Sequence, residues 1–189
     1  MALANPFSVP IGTAAPDFTL PAIDGREVSL GDFGEAPALL VAFLCNHCPY
    51  VRHVERELGR FAAEYAERGL ATVGINPNDV VSHPTDDVPH MIEQAERARF
   101  GFPYLVDETQ AVARAYRAAC TPDLFLYDRD RALAYRGEFD GSRPHGSVPV
   151  TGATLRAAVD HVLAGEPVPA PHPTAVGCSI KWRPGNEPT

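Results

Sequence analysis

Nowhere in this chain do lysine and arginine cluster, and the balance of charge is acidic: 16 basic against 24 acidic residues give a net charge of −8. Neutralising a phosphate backbone takes clustered positive charge, so nucleic acid is not an expected partner. No segment approaches the roughly 18 apolar residues of a membrane span, and Met1 to Pro16 has neither a basic flank nor an apolar stretch. A cytoplasmic protein with no membrane partner is therefore expected. Cysteine is also scarce. Cys45, Cys48, Cys120 and Cys178 are too few and too unevenly spaced for the disulfide framework of a small secreted domain. In a reducing compartment, the close pair among them points to redox chemistry or metal binding.

What is present suits one packed domain. The hydrophobic share of 45% is ordinary for a globular protein, and no shift in composition or internal repeat divides the chain. Asp17 to Leu20 and Glu27 to Leu30 read as strands around an Asp24-Gly25 reversal. Ala38 to Leu44 is a continuous apolar run, as in a strand covered on both faces. Val51, Val54, Leu58, Phe61, Ala62 and Tyr65 recur at spacings of three and four, which predicts a helix from Pro49 to Arg68. Strand Ala71 to Asn76, helix Val88 to Phe100, strand Tyr104 to Asp107 and helix Gln110 to Ala118 follow. A hairpin of Leu124 to Asp128 with Leu133 to Arg136 and a helix from Gly152 to Ala164, with Thr151 as its N-cap, complete the domain. This alternation predicts an α/β fold with a mostly parallel sheet, helices on both faces and an antiparallel closing pair. The domain is expected over 1–164. The tail, 165–189, holds six prolines and is expected to dock through Ile180 and Trp182.

The chemistry centres on Cys45-Asn46-His47-Cys48-Pro49, at a predicted strand-to-helix junction. Amide N–H groups at a helix start have no internal partners and carry partial positive charge, so a thiolate there is stabilised. Cys45 is expected to attack a disulfide. Cys48, one turn on and facing inward, is expected to resolve the mixed disulfide, with an imidazolium at His47 favouring the thiolate. No cofactor is needed. A second signal, Ala119-Cys120-Thr121-Pro122-Asp123, immediately precedes a predicted strand. Cys120 reads as a small buried hydrophobe or an accessory thiol. Cys178 reads as inert on the tail, as a partner of Cys120, or as an electron relay. His83, Asp86, Asp87 and His90 read as a solvated polar loop, and Arg52 and Glu55 as a solvated helix face.

The two cysteines, Thr121-Pro122 and the order of strands resemble the thioredoxin-like superfamily, and within it proteins of the AhpC/TSA (alkyl hydroperoxide reductase/thiol-specific antioxidant) type. The likeness covers residues 11–164. Phe102 to Asp107 is similar to the inserted strand of the ResA- and TlpA-like branch, and Gly177 to Trp182 looks like a subgroup signature. The resemblance implies a central mixed sheet flanked by helices, with an N-terminal hairpin and an inserted strand and helix. It implies that Pro122 is a cis-proline facing the dithiol, and that the backbone before it pairs with an extended substrate. Thr121, Pro122 and Asn46 are accordingly expected to bind substrate.

The implied activity is thiol–disulfide exchange with a disulfide-containing protein or a small thiol, and with a thiol electron donor. A peroxidase is the alternative, in which oxidised Cys45 condenses with Cys48. Peroxiredoxins place a hydroxyl three positions before the attacking cysteine, where this chain has Ala42 or Cys45. A third possibility is a non-catalytic binding or zinc-holding module, for which the Cys-x-x-Cys pair lacks a second like it. Copper-delivering relatives separate their cysteines by three residues, and this chain does not.

Overall fold

In the computed structural model, which describes residues 7–188, the Asp24-Gly25 reversal joins strands β1 (Thr19–Pro21) and β2 (Glu27–Ser29), with Leu20 opposite Val28. Gly25 takes the positive φ, 85°, that such a turn requires. The first six residues of the expected domain and the last residue of the tail lie outside the described residues. Strand β3 (Ala38–Phe43) is buried at all six positions. Successive side chains of a strand point to opposite faces, so Ala38, Leu40 and Ala42 enter one core while Leu39, Val41 and Phe43 enter the other.

Helix α1 (Pro49–Ala66) buries the six apolar residues whose spacing predicts it. Then come β4 (Leu70–Asn76), α2 (Val88–Ala98) and β5 (Tyr104–Val106). They are followed by α3 (Ala111–Ala115), β6 (Cys120–Thr121), β7 (Asp123–Tyr127), β8 (Leu133–Gly137), α4 (Ala153–Leu163) and β9 (Cys178–Ser179). Helix α1 and α4 cover the first core; α3 and the N-terminal hairpin cover the second. Among the described residues no helix is long and apolar enough to cross a membrane.

The main sheet has the order β5-β4-β3-β7-β8. Strands β3, β4 and β5 are parallel, whereas β7 runs antiparallel to both β3 and β8. The sheet is thus evenly mixed rather than mostly parallel, with two parallel and two antiparallel pairings. Helix α3 is shorter than expected: Gln110 has a positive φ of 61° and Arg117 one of 53°, which leaves only one helical turn and a half between them. Thr151 is not the N-cap residue of α4, although its hydroxyl accepts the Ala153 N–H at 3.3 Å. The cap position is Gly152, and the buried Asp140 carboxylate accepts the N–H groups of Thr151 and Gly152, both at 2.7 Å.

The tail runs back across the body. Strand β9 pairs antiparallel with β6, Ile180 is buried, and Trp182 packs against the second core.

Candidate active site

The fold carries Cys45 just past the end of β3 and makes Cys48 the residue that precedes α1, with Pro49 as the first helical residue. Proline suits that place because its missing N–H would have had no helical partner. Both cysteines are 0% exposed and all four thiols are free. The Cys45 sulfur lies 3.2 Å from the Thr121 hydroxyl oxygen, and the Cys48 thiol donates to the Thr121 carbonyl at 3.1 Å. The Thr121-Pro122 peptide is cis. Asp123 pins this segment: its buried carboxylate accepts the Ala119 N–H at 2.9 Å and the Arg136 guanidinium at 2.7 and 3.2 Å. The structure therefore brings together Cys45, Cys48, Thr121 and Pro122.

The two thiols titrate as a pair. Cys48, not Cys45, stands at the N-cap of α1, and no side-chain capping bond forms there. Cys45 first, and then Cys178 and the Val51 N–H, favour charge on Cys48 against its burial and lower its pKa. Cys45 is raised: its proton is held in the bond to Cys48, it is desolvated, and it faces the negative charge of Asp86. The two titrations are linked, so that one proton is in effect shared between the sulfurs.

Asp86 is the residue that sequence reasoning missed. It belongs to the loop read as solvated, yet it is 0% exposed. One carboxylate oxygen accepts the backbone N–H groups of Asn46 at 2.8 Å and His47 at 2.9 Å. The other accepts from the His47 ring at 2.5 Å and the Asn78 amide at 2.9 Å. Its own carbonyl accepts from the Asn76 amide at 2.7 Å. A buried carboxylate is tolerated when hydrogen bonds replace its lost water, and here they do. The neighbouring Asp87 and His90 pair with each other at the surface, and Asp87 caps α2. His83 lays its ring against that of His47, with centroids 5.0 Å apart.

Asn46 is buried, and its polar groups bind within the loop: the side-chain N–H donates to the Thr85 carbonyl, the side-chain oxygen accepts from Arg97, and the backbone carbonyl accepts from Arg52. These bonds fix the shape of the loop. Arg52 is thereby part of the loop's support. Glu55 is likewise buried rather than solvated, and is paired with Arg97 at 2.7 Å. Gln94 joins the set by donating to the Cys45 carbonyl at 3.1 Å.

The other thiols divide. Cys120 is buried, its sulfur 3.5 Å from the Pro122 carbonyl, and burial pushes its pKa up to about 12, as befits a thiol kept neutral by its surroundings. Cys178 is partly exposed and lies opposite Thr121 in the β6–β9 pairing, while Ser179 lies opposite Cys120. Since adjacent strand residues point to opposite faces, Cys178 meets Cys48 rather than Cys120. Burial and the charge of Cys48 raise the Cys178 pKa.

Cys45, His47 and Asp86 present potential metal ligands within 4.8 Å of one another. The Asp86 oxygens already take four N–H donors, so this cluster is knit by hydrogen bonds and its carboxylate has little left to give a cation.

Known proteins place the chain. It is 27% identical to the thiol-disulfide oxidoreductase ResA of Geobacillus thermodenitrificans, over 65% of this chain and 66% of that protein, and so spans just under two thirds of that relative's length. The solved structure of a hypothetical protein from Sinorhizobium meliloti 1021 is 48% identical and superimposes with a TM-score of 0.92, covering 94% of this chain and 97% of that one. A peroxidoxin, BcpB of Mycobacterium tuberculosis, is 24% identical over 82% of this chain and 94% of its own, and at a TM-score of 0.56 shares the fold. The match to the AhpC/TSA family itself runs from residue 11 to residue 136, taking in the hairpin, the dithiol and the Thr121-Pro122 segment, and this chain is a thioredoxin-like member of the AhpC/TSA family.

Proposed function

We propose that the chain is a thiol–disulfide oxidoreductase in which Cys45 and Cys48 alternate between dithiol and disulfide. The observation that carries this reading is the meeting of two free thiols, at a strand-to-helix junction, on the backbone that precedes Pro122. The Cys45 thiolate attacks one sulfur of a substrate disulfide, and the other sulfur leaves with the electron pair and takes up a proton. Cys48 then loses its proton and attacks the Cys45 sulfur of the mixed disulfide. This releases the second substrate thiol and leaves a Cys45–Cys48 disulfide, which a thiol donor reduces. His47, fixed by Asp86 beside Cys45, is placed to take up the Cys45 proton in the first step. Substrates are disulfide-bearing proteins or small disulfides, a reading supported by the ResA relative.

The test compares wild type with Cys45→Ser and Cys48→Ser in reduction of a protein disulfide, and maps the bond formed on oxidation. Expected are a Cys45–Cys48 disulfide in the wild type and loss of turnover in both variants. Full turnover in Cys48→Ser would overturn the reading.

One observation favours a second reading, thiol peroxidase. The hydroxyl absent at Ala42 is supplied from across the site by Thr121, 3.2 Å from the Cys45 sulfur. Hydrogen peroxide consumption by wild type, compared with Thr121→Val, separates the two: consumption that matches disulfide reduction in rate and collapses in Thr121→Val would favour the peroxidase.

A further inference from the structure

The tail does more than cover the dithiol. Strand β9 lies beside the two residues that precede Pro122, with Cys178 opposite Thr121, so the tail backbone fills the pairing position next to the reactive sulfurs. The approach is as close as backbones allow. A Cβ built on Gly177 would stand 2.1 Å from the Thr121 carbonyl oxygen, so no residue larger than glycine fits without moving the strand. Anchors on both sides set the register. Before β9, the Pro173 carbonyl accepts the Glu138 N–H at 3.1 Å. After it, the Lys181 N–H donates to the Asn78 side chain at 2.9 Å, and Gln110 bridges the Lys181 carbonyl and the Arg183 N–H. The result is that Cys178 and Cys48 converge on Thr121: Cys178 lies opposite it, the Cys48 thiol donates to its carbonyl at 3.1 Å, and Cys178 packs against the core that contains Cys48. Of these three sulfurs, only that of Cys178 belongs to a residue with solvent exposure.

We infer that residues 177–179 act as a tethered substrate strand, and that Cys178 is a third exchanging thiol that carries electrons between the buried dithiol and disulfides in solution. This rests on the oxidoreductase reading above. In the oxidised centre the Cys178 thiolate attacks the Cys48 sulfur. A Cys48–Cys178 bond forms, the Cys45–Cys48 bond breaks, and its electron pair leaves on Cys45, which takes up the proton Cys178 gave up. The step is an internal isomerisation and needs no outside oxidant or reductant. A thiol in solution can attack the Cys178 sulfur of the Cys48–Cys178 bond, with Cys48 leaving as thiolate. Alternatively, Cys45 attacks Cys48 of that bond, which restores Cys45–Cys48 and returns Cys178 as a thiol able to attack a disulfide in solution.

The experiment oxidises the full-length Cys45→Ser chain with glutathione disulfide and maps its bonds by mass spectrometry without reduction. A Cys48–Cys178 link is expected as the main internal disulfide, and adding Gly177→Val should lower its yield about tenfold by pushing the strand off Thr121. Recovery of Cys48 only as a glutathione adduct or joined to Cys120, or a yield indifferent to Gly177→Val, would overturn the inference. In otherwise wild-type protein, Cys178→Ser should slow oxidation of the centre by glutathione disulfide about tenfold, and an equal or faster rate would count against the relay. Failure of the wild type to form a Cys45–Cys48 disulfide would instead defeat the oxidoreductase reading, so the two failures are distinct.

Discussion

Two segments reach the dithiol from opposite sides, and different physics holds each of them. The loop between β4 and α2 arrives with a buried charge: Asp86 takes four N–H donors, two from the backbone of the cysteine motif and one each from His47 and Asn78. The tail arrives with a two-residue strand, a buried Ile180 and a partly buried Trp182. Withdrawing Asp86 would strand donors in a dry interior, whereas withdrawing the tail hands its backbone back to water and exposes modest apolar area. The loop is therefore the costlier of the two to withdraw, and the tail the cheaper. A redox centre whose thiols are both 0% exposed needs one such cheaper side.

The largest expected effect comes from attacking the costlier side. Asp86→Ala leaves the donors at Asn46, His47 and Asn78 without acceptors, and should cost about 3–5 kcal/mol in urea unfolding. Asp86→Asn keeps one oxygen acceptor, replaces the other with an NH2 donor, and removes the charge facing Cys45. Its pKa should fall, so that alkylation of Cys45 extends to lower pH than in wild type. A cost below about 1 kcal/mol for the alanine variant would break the contrast, since that is what one ordinary hydrogen bond contributes.

Next comes the cheaper side. Ile180→Ala should weaken docking of the tail by about 2–5 kcal/mol, the usual range for truncating a buried isoleucine. The expected signature is faster hydrogen exchange in residues 176–183 and faster alkylation of Cys48, with the main sheet still protected. Equal loss of protection in β3 and in the tail would show that the tail unfolds only with the whole domain.

The smallest effect sharpens the rule for anchored loops at a place remote from the sulfurs. Burial pushes the Asp140 carboxyl up, but the Ser142 hydroxyl and the N–H groups of Gly152, Thr151 and Ser142 outweigh it and hold the pKa below the usual value. A depressed carboxyl stabilises the fold fully above its unfolded pKa, near 3.9 for aspartate, and the gain disappears as pH falls through the lower folded value. Asp140→Asn should therefore cost about 1 kcal/mol at neutral pH and less under strongly acid conditions. A penalty that grows on acidification would contradict the assignment.

How much of this was legible beforehand depended on whether the signal was local. The run at Ala38 to Leu44 marks a strand buried on both faces, because alternate side chains need two apolar environments, and β3 is such a strand. The three-and-four spacing from Val51 to Tyr65 locates α1 for an equally local reason. Asp86 was illegible because a buried aspartate and a solvated one look alike in a polar loop, and its partners at Asn46 and His47 are far away in sequence. Strands β6 and β9 were illegible because two residues carry no periodicity. Glu55 looked like an exposed helix residue until α2 brought Arg97 against it.

Sequence alone determined that two thiols would stand where a buried strand meets a helix, with Thr121-Pro122 ahead of a later strand, since apolar periodicity and chain punctuation are local properties. Only the tertiary structure decided that Asp86 shapes the motif and that Cys178 and Cys48 converge on Thr121. Those outcomes depend on which groups lose water together, and desolvation is decided by packing between distant segments.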